Sequence, residues 1–447
     1  MINNKFGVSM LLTHWQGDGW AEGTKGQGQN YFLSFGYKPN AKNTVNFLIT
    51  GAPQWHDQNY TKKLSSYYNS DGELNVKYNS NWGYVDGEYL SERRNYYHKP
   101  VANLNWDWYI NEKSKLSTVL YASWGVGGGT GGYGAYAKTT TDGYKDWDAT
   151  IAYNESITDG IGSNNTNGSG YVGTAIRGSR NNHSWYGLVT KYDSKLTQHL
   201  SYSVGADLRT YKGKHFRELT NLLGLSGFDE SDNARYGSNH IVTETYYASP
   251  WKSMFNSASL DQQIDYSYSE RISYEGLFGQ LEYVMNNFST FVQGSVSSQQ
   301  HQRFEFWNET EANEASEKVT NPGFNVKGGA SYTVNEQHTF FGNIGYYHRQ
   351  PVHDDVYLNY SNLVNPVTVP EKIFGAELGY KFVSEKFALN FNAYRTEWND
   401  RSTTTFLSDG TELSNGYVIV GEGYKNAIQD ELHSGLEWIS VMMYYQI

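Results

Sequence analysis

The sequence of 447 residues has no cysteine and only 8 prolines. Without cysteine it cannot form disulfide scaffolds, thiolate active sites or cysteine-based zinc sites. No apolar run approaches the roughly 18 residues of a transmembrane helix, and the mean hydropathy is -0.67. The formal net charge of -11 argues against nucleic acid as a partner. None of these absences excludes a membrane protein that is built from strands.

Catalytic and phosphate-binding motifs are also missing. No nucleophile with a base and an orienting group can be assembled from the spacing of the side chains, so we predict no enzymatic activity, no cofactor and no bound metal. The glycine-rich run 125–132 lacks the GK[ST] ending of a phosphate loop and does not open a helix. We therefore predict that it is a flexible loop.

Aromatic residues and glycine are abundant instead. The chain has 39 Tyr, 20 Phe, 13 Trp and 46 Gly, and the share of tyrosine is far above ordinary usage. An aromatic side chain with an apolar body and a polar tip suits the two rims of a membrane barrel.

About fourteen stretches of roughly ten residues alternate apolar and polar side chains, as strands with one apolar face do. Clear examples are residues 202–208, 324–332 and 374–382. These stretches are longer than the usual strand of 5–6 residues, and their apolar face often begins or ends in an aromatic residue. Both properties favour a membrane barrel over a soluble sandwich.

The links between these stretches are alternately short and long. The short links are 40–42, 111–115, 194–197, 286–287, 335–337 and 384–386. The long links are 14–29, 52–99, 126–182, 212–272, 298–322, 348–371 and 399–432. Alternate links of an antiparallel meander lie at opposite ends of the sheet. One end therefore carries only short turns, and the other end carries large loops. We therefore predict an all-β, antiparallel transmembrane β-barrel with short periplasmic turns and long extracellular loops.

The alternation also assigns the two faces of the sheet. The apolar face is expected to contact lipid and the polar face to line the lumen, since only a closed sheet satisfies every backbone group of strands in a membrane. Arg209, Glu282, Lys327 and Lys381 project to the lumen in this assignment. They could set the charge selectivity of the lumen or contact a plug domain.

Five segments resemble the barrel of TonB-dependent outer-membrane receptors. They are residues 3–7 (NNKFG), 16–20 (QGDGW), 51–56 (GAPQWH), 373–380 (IFGAELGY) and 392–401 (NAYRTEWNDR). The resemblance implies a Gram-negative outer-membrane protein that imports a nutrient ligand such as a siderophore, a glycan or cobalamin. It also implies outer-membrane lipid and the TonB complex as partners, and it leaves open whether a surface lipoprotein sits above the barrel.

The sequence departs from this family in three ways. Its barrel pattern begins at about Lys5 with no plug domain before it, about fourteen strands are present where the family has about twenty-two, and the chain ends at Tyr444 to Ile447 without a terminal aromatic. We therefore expect residues 1–447 to be a partial barrel domain without plug or signal peptide. A self-contained passive channel of about fourteen strands and an adhesive surface barrel remain as alternatives.

Two groups of side chains in the long links are candidates for ligand contact. Aromatic platforms and a histidine could hold a ligand at the mouth, and they are Trp55, His56, Trp82, Tyr84, Trp251 and Trp307. Rim or loop packing is the alternative interpretation. The second group is His348, His353, Asp354 and Asp355, residue types that can contact a metal chelate but also occur at the start of an ordinary polar loop.

Overall fold

The computed structural model describes residues 5–164, 170–407 and 423–442. Most of these residues lie in strands. The strands are, in chain order, β1 (Phe6–Asp18), β2 (Lys25–Asn40), β3 (Asn43–Gly51), β4 (Gln54–Asp57), β5 (Trp82–Val85), β6 (Glu88–Ser91), β7 (Arg94–His98), β8 (Val101–Asn111), β9 (Ser114–Gly134), β10 (Lys145–Asp146), β11 (Ile161–Ser163), β12 (Thr174–Lys195), β13 (Leu200–Asn221), β14 (Gly227–Asp229), β15 (Ile241–Val242), β16 (Gln263–Met285), β17 (Phe288–Glu305), β18 (Val319–Thr333), β19 (His338–Arg349), β20 (Glu371–Val383), β21 (Phe387–Leu407) and β22 (Gly423–Met442).

Helices are few and short in the part of the chain that the structure describes. The two α-helices are α1 (Trp147–Glu155) and α2 (His353–Val356). Single 3₁₀ turns occur at Leu64–Tyr67, Lys252–Met254, Leu260–Gln262, Glu311–Asn313 and Leu358–Tyr360. Among the described residues, no helix combines the length and the apolar character that crossing a membrane would require.

One antiparallel sheet of 16 strands dominates the structure. Two of its members, β4 and β7, are short strands that pair between β2 and β9 at the long-loop end. The other fourteen are 9 to 23 residues long and follow one another as a meander from β1 to β22. This arrangement confirms the predicted antiparallel barrel sheet and its approximate number of strands.

Short and long connections alternate along this meander, as predicted. The short ones are 41–42, 112–113, 196–199, 286–287, 334–337 and 384–386, and the longer ones are 19–24, 52–100, 135–173, 222–262, 306–318 and 350–370. The connection 408–422 lies outside the described residues, as do residues 444–447.

Several predicted long links are too long, because the strands extend further than the alternation of apolar residues does. The links 52–99 and 348–371 agree with the observed connections to within two residues. Residues 14–18 and 25–29, for example, belong to β1 and β2, so the predicted link 14–29 is a turn of six residues, 19–24. Beyond the membrane, water replaces lipid outside the sheet and apolar alternation stops. The backbone groups still pair with the neighbouring strand, so the strand continues.

The two faces of the sheet differ in the way that the alternation predicts. The apolar face leaves large side chains exposed on the isolated chain, among them Val204, Leu208, Leu277, Leu281, Val292, Val296, Phe324, Val326, Phe340, Ile344 and Leu378. An exposed apolar surface of this extent is explained by contact with lipid. The polar face is the concave one. Residues from β8 through β19 on this face line a cavity of about 730 Å³.

Four strands continue well past the apolar band. Leu120, Leu188, Leu208 and Glu275 pair in one row across β9, β12, β13 and β16, and Glu275 marks the end of the band because it puts a carboxylate on the apolar face. The strand segments on the long-loop side of this row are called the extracellular extension.

Loops pack on both faces of the extracellular extension. A core that contains Ala175 lies on the concave face with Tyr133 and Phe228, and a second core that contains Ile176 lies on the opposite face with Trp147. Ala175 and Ile176 are adjacent in β12 and therefore point to opposite sides. The extension is thus the centre of a small three-layered unit above the membrane.

The glycine run 125–132 was predicted as a flexible loop, and that prediction is wrong. These residues lie inside β9, with β12 on one side and β7 on the other. Two partners hold the glycine backbone in place, and the missing side chains make room for larger neighbours. At Gly128 an added Cβ would lie 2.9 Å from the Tyr96 hydroxyl oxygen.

A charge placed on the apolar face should destabilise the barrel in the membrane. Leu281 is on the apolar face and its chain neighbour Gln280 lines the concave cavity. We expect Leu281→Arg to cost about 2–4 kcal/mol of folding free energy in lipid, because the guanidinium would lie in hydrocarbon. Gln280→Arg is the matched control and should fold like wild type. Urea titrations of both variants in lipid vesicles measure the difference, and equal midpoints would contradict the assignment of the faces.

Candidate ligand-binding site at the barrel mouth

A cluster of buried polar side chains lies on the concave face of the extracellular extension. His215 on β13, Glu270 on β16 and Arg303 on β17 share this face through the strand register. The His215 Nε2 atom is 3.6 Å from the Glu270 Oε1 atom. Arg303 donates through Nη1 to Oε2 of Glu305 at 2.7 Å and lies 4.3 Å from the centre of the Tyr268 ring. The cluster thus presents both charges and imidazoles to the mouth.

The loop 350–370 covers this cluster. His353 at the start of α2 brings its Nδ1 atom to 3.2 Å from Nδ1 of His301 on β17. The hydroxyl group of Tyr357 donates to the carbonyl oxygens of His301 and Glu317, each at 2.9 Å. Both imidazoles are buried, so the loop closes over the inner wall rather than extending away from it.

Burial controls the protonation of the cluster. It lowers the pKa of His215 and of His301 to about 4, and it lowers the pKa of His353 to about 3. Nearby positive charge, chiefly from Arg303, adds to the effect at His215, and His301 and Arg303 add to it at His353. At neutral pH the three imidazoles are therefore uncharged and can both donate and accept hydrogen bonds.

Glu270 responds to burial in the opposite direction. Burial and then the neighbouring Asp354 raise the pKa of Glu270 to about 7, although Arg303 opposes the rise. A carboxyl group that titrates near neutral pH beside neutral imidazoles is typical of a functional site. Among the described residues, no three histidine, aspartate or glutamate side chains are arranged to hold a metal ion.

A basic group lies higher on the same face. Arg177 on β12 and Arg93 before β7 both lie over Gly131 of β9, and Arg217 on β13 joins them through the Ser179 hydroxyl. Arg177 donates from Nη1 to the carbonyl oxygen of Gly129 at 3.1 Å and to the hydroxyl group of Ser179 at 2.9 Å. Burial, followed by the charges of Arg217 and Arg93, lowers the pKa of Arg177 to about 10. The positive charges of Arg93 and Arg217 thus repel the Arg177 guanidinium.

Solved structures with the same architecture are import receptors. The ferric citrate transporter FecA in its unliganded form matches with a TM-score of 0.58 and 13% identity, over 98% of this chain and 51% of FecA. The ferric-catecholate import receptor Fiu from E. coli matches with 0.58 and 10%, over 99% and 59%. The copper transporter OprC matches with 0.59 and 10%, over 98% and 55%.

The fold is that of a TonB-dependent outer-membrane receptor barrel. This confirms the predicted fold class and its outer-membrane architecture. The chain spans about half the length of the solved structures it matches, 51% of FecA and 59% of Fiu. No family model matches the sequence, and no curated protein matches it either.

Trp55 and His56 are neighbours in β4 and therefore point to opposite faces of the sheet. Trp55 pairs with Tyr96 on the outer face. His56 lies on the concave face, in one row with Gly129 and Ser179. Trp55 carries the Arg94 guanidinium at 3.9 Å from its ring centre, and Arg94 in turn forms a salt bridge with Asp57 at 2.8 Å. His56 pairs between Gly26 and Asn95 within the sheet. These contacts support packing, and ligand contact by either residue stays a prediction.

Trp82 and Tyr84 lie in β5, in the small sheet of loop 52–100. Their rings are 5.4 Å apart, and Trp82 also contacts Tyr89 and Tyr144 at 5.6 and 5.7 Å. Tyr84 is exposed while Trp82 is largely enclosed. The structure therefore brings these two predicted residues together, but away from the concave cluster.

Trp251 stands on the loop 222–262 and joins distant parts of the barrel. Its Nε1 atom donates to Oε1 of Gln29 at 3.1 Å, and its ring lies 4.5 Å from that of His98 and 6.4 Å from that of Tyr31. Tyr31 belongs to the apolar face because it pairs with Leu12. Trp251 thus attaches the loop to the outer side of β2 and β7.

The remaining loop candidates separate into different environments. Trp307 is buried against loop 222–262, where its carbonyl oxygen accepts from the backbone of Ala234. His348 is stacked on Phe324 at 5.0 Å, on the apolar face. The predicted grouping of His348 with His353 is therefore wrong, because strand alternation points His348 outward. Asp354 and Asp355 lie on α2 beside the cluster, and burial raises the pKa of Asp355.

The four predicted lumen residues lie on the concave face. Glu282 and Lys327 line the cavity of about 730 Å³. Arg209 is 3.7 Å from Asp207 and 4.1 Å from the centre of the Tyr274 ring. Lys381 pairs with Thr339, on the same face as Glu377. Their roles in selectivity or in plug contact stay predictions.

The concave cluster itself was missed in the sequence, although a signal for it was present. His301, Arg303 and Glu305 recur at every second position, as residues on one strand face do. The same is true of His215 and Arg217. These positions lie within the predicted long links 212–272 and 298–322, where no apolar alternation marks a strand.

Proposed function

We propose that this chain forms the barrel of an outer-membrane receptor that takes up a nutrient ligand with energy delivered through the TonB complex. The observation that carries the proposal is the buried polar cluster of His215, Glu270, His301, Arg303 and His353 on the concave face. A polar, enclosed wall at the mouth of a receptor barrel is where a ligand from outside would first meet specific groups. The similarity of the fold to solved import receptors supports the same proposal.

The side chains of the cluster define how the ligand would be held. The neutral imidazoles supply directional donors and acceptors, Arg303 supplies a fixed positive charge, and Tyr268 offers an aromatic face. A ligand that enters would compete with His353 for the inner wall, so α2 would move when the site fills. Movement of a loop that covers a binding site is a common step in committing a ligand.

The partners belong to the same proposal. We infer that the barrel lies in outer-membrane lipid, that a plug domain connects it to TonB, and that residues 1–447 supply the barrel part of the receptor. A surface lipoprotein above the loops is compatible with this arrangement. Transport, and not catalysis, is the proposed activity, since the solved structures with this fold are transporters and receptors.

Uptake by the source cells tests the function. Cells that carry the gene and cells in which it is deleted are supplied with labelled ferric citrate or with a labelled copper salt, the cargoes of two structural neighbours. We expect deletion to reduce accumulation of one probe, and collapse of the inner-membrane proton gradient to stop it in wild type. Uptake that survives the collapse would favour a passive channel, and surface binding without uptake would favour an adhesive barrel.

The orientation of the barrel gives a further prediction. Because the chain has no cysteine, single cysteines can be labelled without background. Gly168, an obvious choice in the long link, lies outside the described residues, but Tyr136 in loop 135–173 is 96% exposed. We expect Tyr136→Cys to react with a membrane-impermeant maleimide on whole cells and Asn335→Cys to react only after lysis. Equal labelling of both on intact cells would contradict the orientation.

A further inference from the structure

The concave face of β9 is bare because of its glycines. An added Cβ at Gly131 would lie 2.5 Å from Nη1 of Arg93 and 3.1 Å from Nη2 of Arg177. The two guanidinium groups therefore lie over the same glycine. Arg217 joins them from β13, since its Nε atom donates at 3.2 Å to the Ser179 hydroxyl that also accepts from Arg177.

Carboxylates do not balance this basic group. Arg93 lies 3.5 Å from Glu92, but Glu92 also accepts from Lys145 at 2.7 Å. Arg217 forms a salt bridge with Asp265. Arg177 forms no salt bridge within the described part of the chain, where its recorded partners are a carbonyl oxygen and a hydroxyl group. In a chain of net charge -11, three guanidinium groups with only Glu92 and Asp265 as salt-bridge partners among the described residues, one of them shared with Lys145, leave a local excess of positive charge.

The backbone near Asp265 is strained in a way that shapes this site. Asp265 has a φ of 63° next to the register shift between Phe216 and Arg217. A left-handed conformation is unfavourable for a residue with a side chain, and bulges commonly redirect side chains near functional sites. Here the bulge lies where Asp265 forms a salt bridge with Arg217, whereas the Arg177 guanidinium lies over Gly131.

The geometry points to a binding site for a multiply charged anion formed by Arg93, Arg177 and Arg217. We propose that the ligand carries at least two carboxylate or phosphate groups. Planar guanidinium groups bind such groups in a bidentate manner, and two or three of them over one bare strand match a ligand with several anionic groups. Arg93 and Arg217 remain partly exposed, at 34% and 27% of their side chains, so an anion can reach them.

Two aromatic rings complete the site. Arg93 lies 6.0 Å from the ring centre of Tyr60, and Arg217 lies 5.1 Å from that of Tyr266. These contacts hold the guanidinium planes without consuming their outward N–H groups. The assignment of this anion as the transported ligand rests on the proposed function, whereas binding of the anion itself does not.

Calorimetric titration of the full chain in detergent tests the proposal, with citrate as the polycarboxylate probe, inorganic phosphate as the second probe and triethyl citrate as the uncharged control. We expect saturable binding of citrate or phosphate, weakened by salt, and no binding of the ester. Arg177→Gln should weaken binding about 10- to 100-fold, because each charge-assisted hydrogen bond contributes roughly 1.5–3 kcal/mol. Arg395→Gln, which alters an exposed pair with Glu397, should leave it unchanged.

A glycine pair tests the same site with all three arginines kept. Gly131→Ala would push a methyl group between the ends of Arg93 and Arg177, whereas at Gly375 in β20, away from the site, the nearest atom to an added Cβ is the Thr396 hydroxyl oxygen at 3.9 Å. We expect Gly131→Ala to weaken citrate binding and Gly375→Ala to preserve it. The folding of each variant is checked by circular dichroism.

The proposal is overturned if neither anion binds the folded wild-type chain, or if Arg177→Gln and Gly131→Ala bind as wild type does. The two proposals fail separately. Loss of anion binding in the titration leaves the uptake experiment and the cysteine labelling intact. Uptake that is unaffected by deletion of the gene would refute import, even if citrate or phosphate binds at the three arginines.

Discussion

Replacement of Arg180 by leucine should lower the free energy of unfolding of the extracellular extension by about 3–5 kcal/mol. Arg180 and Glu218 are both fully buried, with Nε and Oε1 3.3 Å apart. The same guanidinium donates to the carbonyl oxygens of Ser253 and Asn256 at 3.1 and 2.9 Å. The leucine would leave a buried carboxylate without its cation and would release the loop 222–262 from the sheet.

The pH dependence of this variant follows from Glu218. Burial raises the pKa of Glu218 to about 7, even though Arg180 opposes the rise, so loss of Arg180 should raise the pKa further. A carboxyl group whose folded pKa is raised favours the folded state below its unfolded pKa, and this contribution is lost as the pH rises through the folded pKa. Arg180→Leu should therefore be least stable above pH 7 and should recover part of the loss near pH 5.

Denaturant titration followed by tryptophan fluorescence measures this effect, and limited proteolysis of loop 222–262 reports the release of the loop. The double variant Arg180→Leu, Glu218→Met is the matched control, because it removes the unpaired charge and should regain much of the stability. A single variant that unfolds at the wild-type denaturant concentration at pH 8 would show that the buried pair does not anchor the loop.

Acidification from pH 7.5 to pH 5 should open the loop 350–370. Burial holds the pKa of His301 at about 4 and that of His353 at about 3 while the loop is closed, and both should return toward 6.5 in water. A histidine with a lowered folded pKa stabilises the closed state above pH 6.5, and this contribution is lost as the pH falls. At pH 5 each histidine should favour opening by roughly 2 kcal/mol.

Other charged groups face the imidazoles of His301 and His353 and change the free energy of loop opening. Arg303 and His215 oppose protonation of His353 in the closed state, which adds to the effect. Glu270 acts in the opposite direction, because its raised pKa of about 7 favours the closed state as the pH falls through that value. Its contribution is about 2 kcal/mol at most, since Glu270 stays on the sheet when the loop opens. The two histidines together should therefore outweigh Glu270, and the loop should open as the pH falls.

Hydrogen–deuterium exchange of residues 350–370 at the two pH values, corrected for the intrinsic rates, measures the opening. The double variant His301→Gln, His353→Gln keeps polar side chains at both positions but cannot gain the protons. Its loop should be at least as well protected at pH 5 as at pH 7.5, because Glu270 still favours the closed state as the pH falls. Protection of the wild-type loop that does not change between the two pH values would contradict a role of these histidines in closure.

The membrane part of the fold was predictable because it follows a local rule. Residues in a lipid-facing strand alternate, so 202–208 and 374–382 disclosed both their strands and their faces. The lengths of the links then indicated which end of the sheet carries the periplasmic turns and which end carries the extracellular loops. The resemblance of five short segments led to the same barrel family as the solved structures.

The extracellular extension escaped prediction for a physical reason. Outside the membrane no lipid imposes an apolar face, so the glycine run 125–132 shows no period and the true strand ends leave no mark in the sequence. The faces of His348 and His353 illustrate the same limit. They are five positions apart in the chain, but one lies on the outer face of a strand and the other on a helix that turns inward.

The sequence by itself determined the strand order, the apolar and polar faces and the barrel class, because each of these depends on neighbours along the chain. Only the tertiary structure decided which side chains meet at the mouth. His301 meets His353, Arg93 meets Arg177 over Gly131, and Trp251 meets Gln29 from 222 positions away. Such contacts depend on the register of several strands and on the path of the loops, and loop paths are set by burial and hydrogen bonding in three dimensions rather than by any period in the sequence.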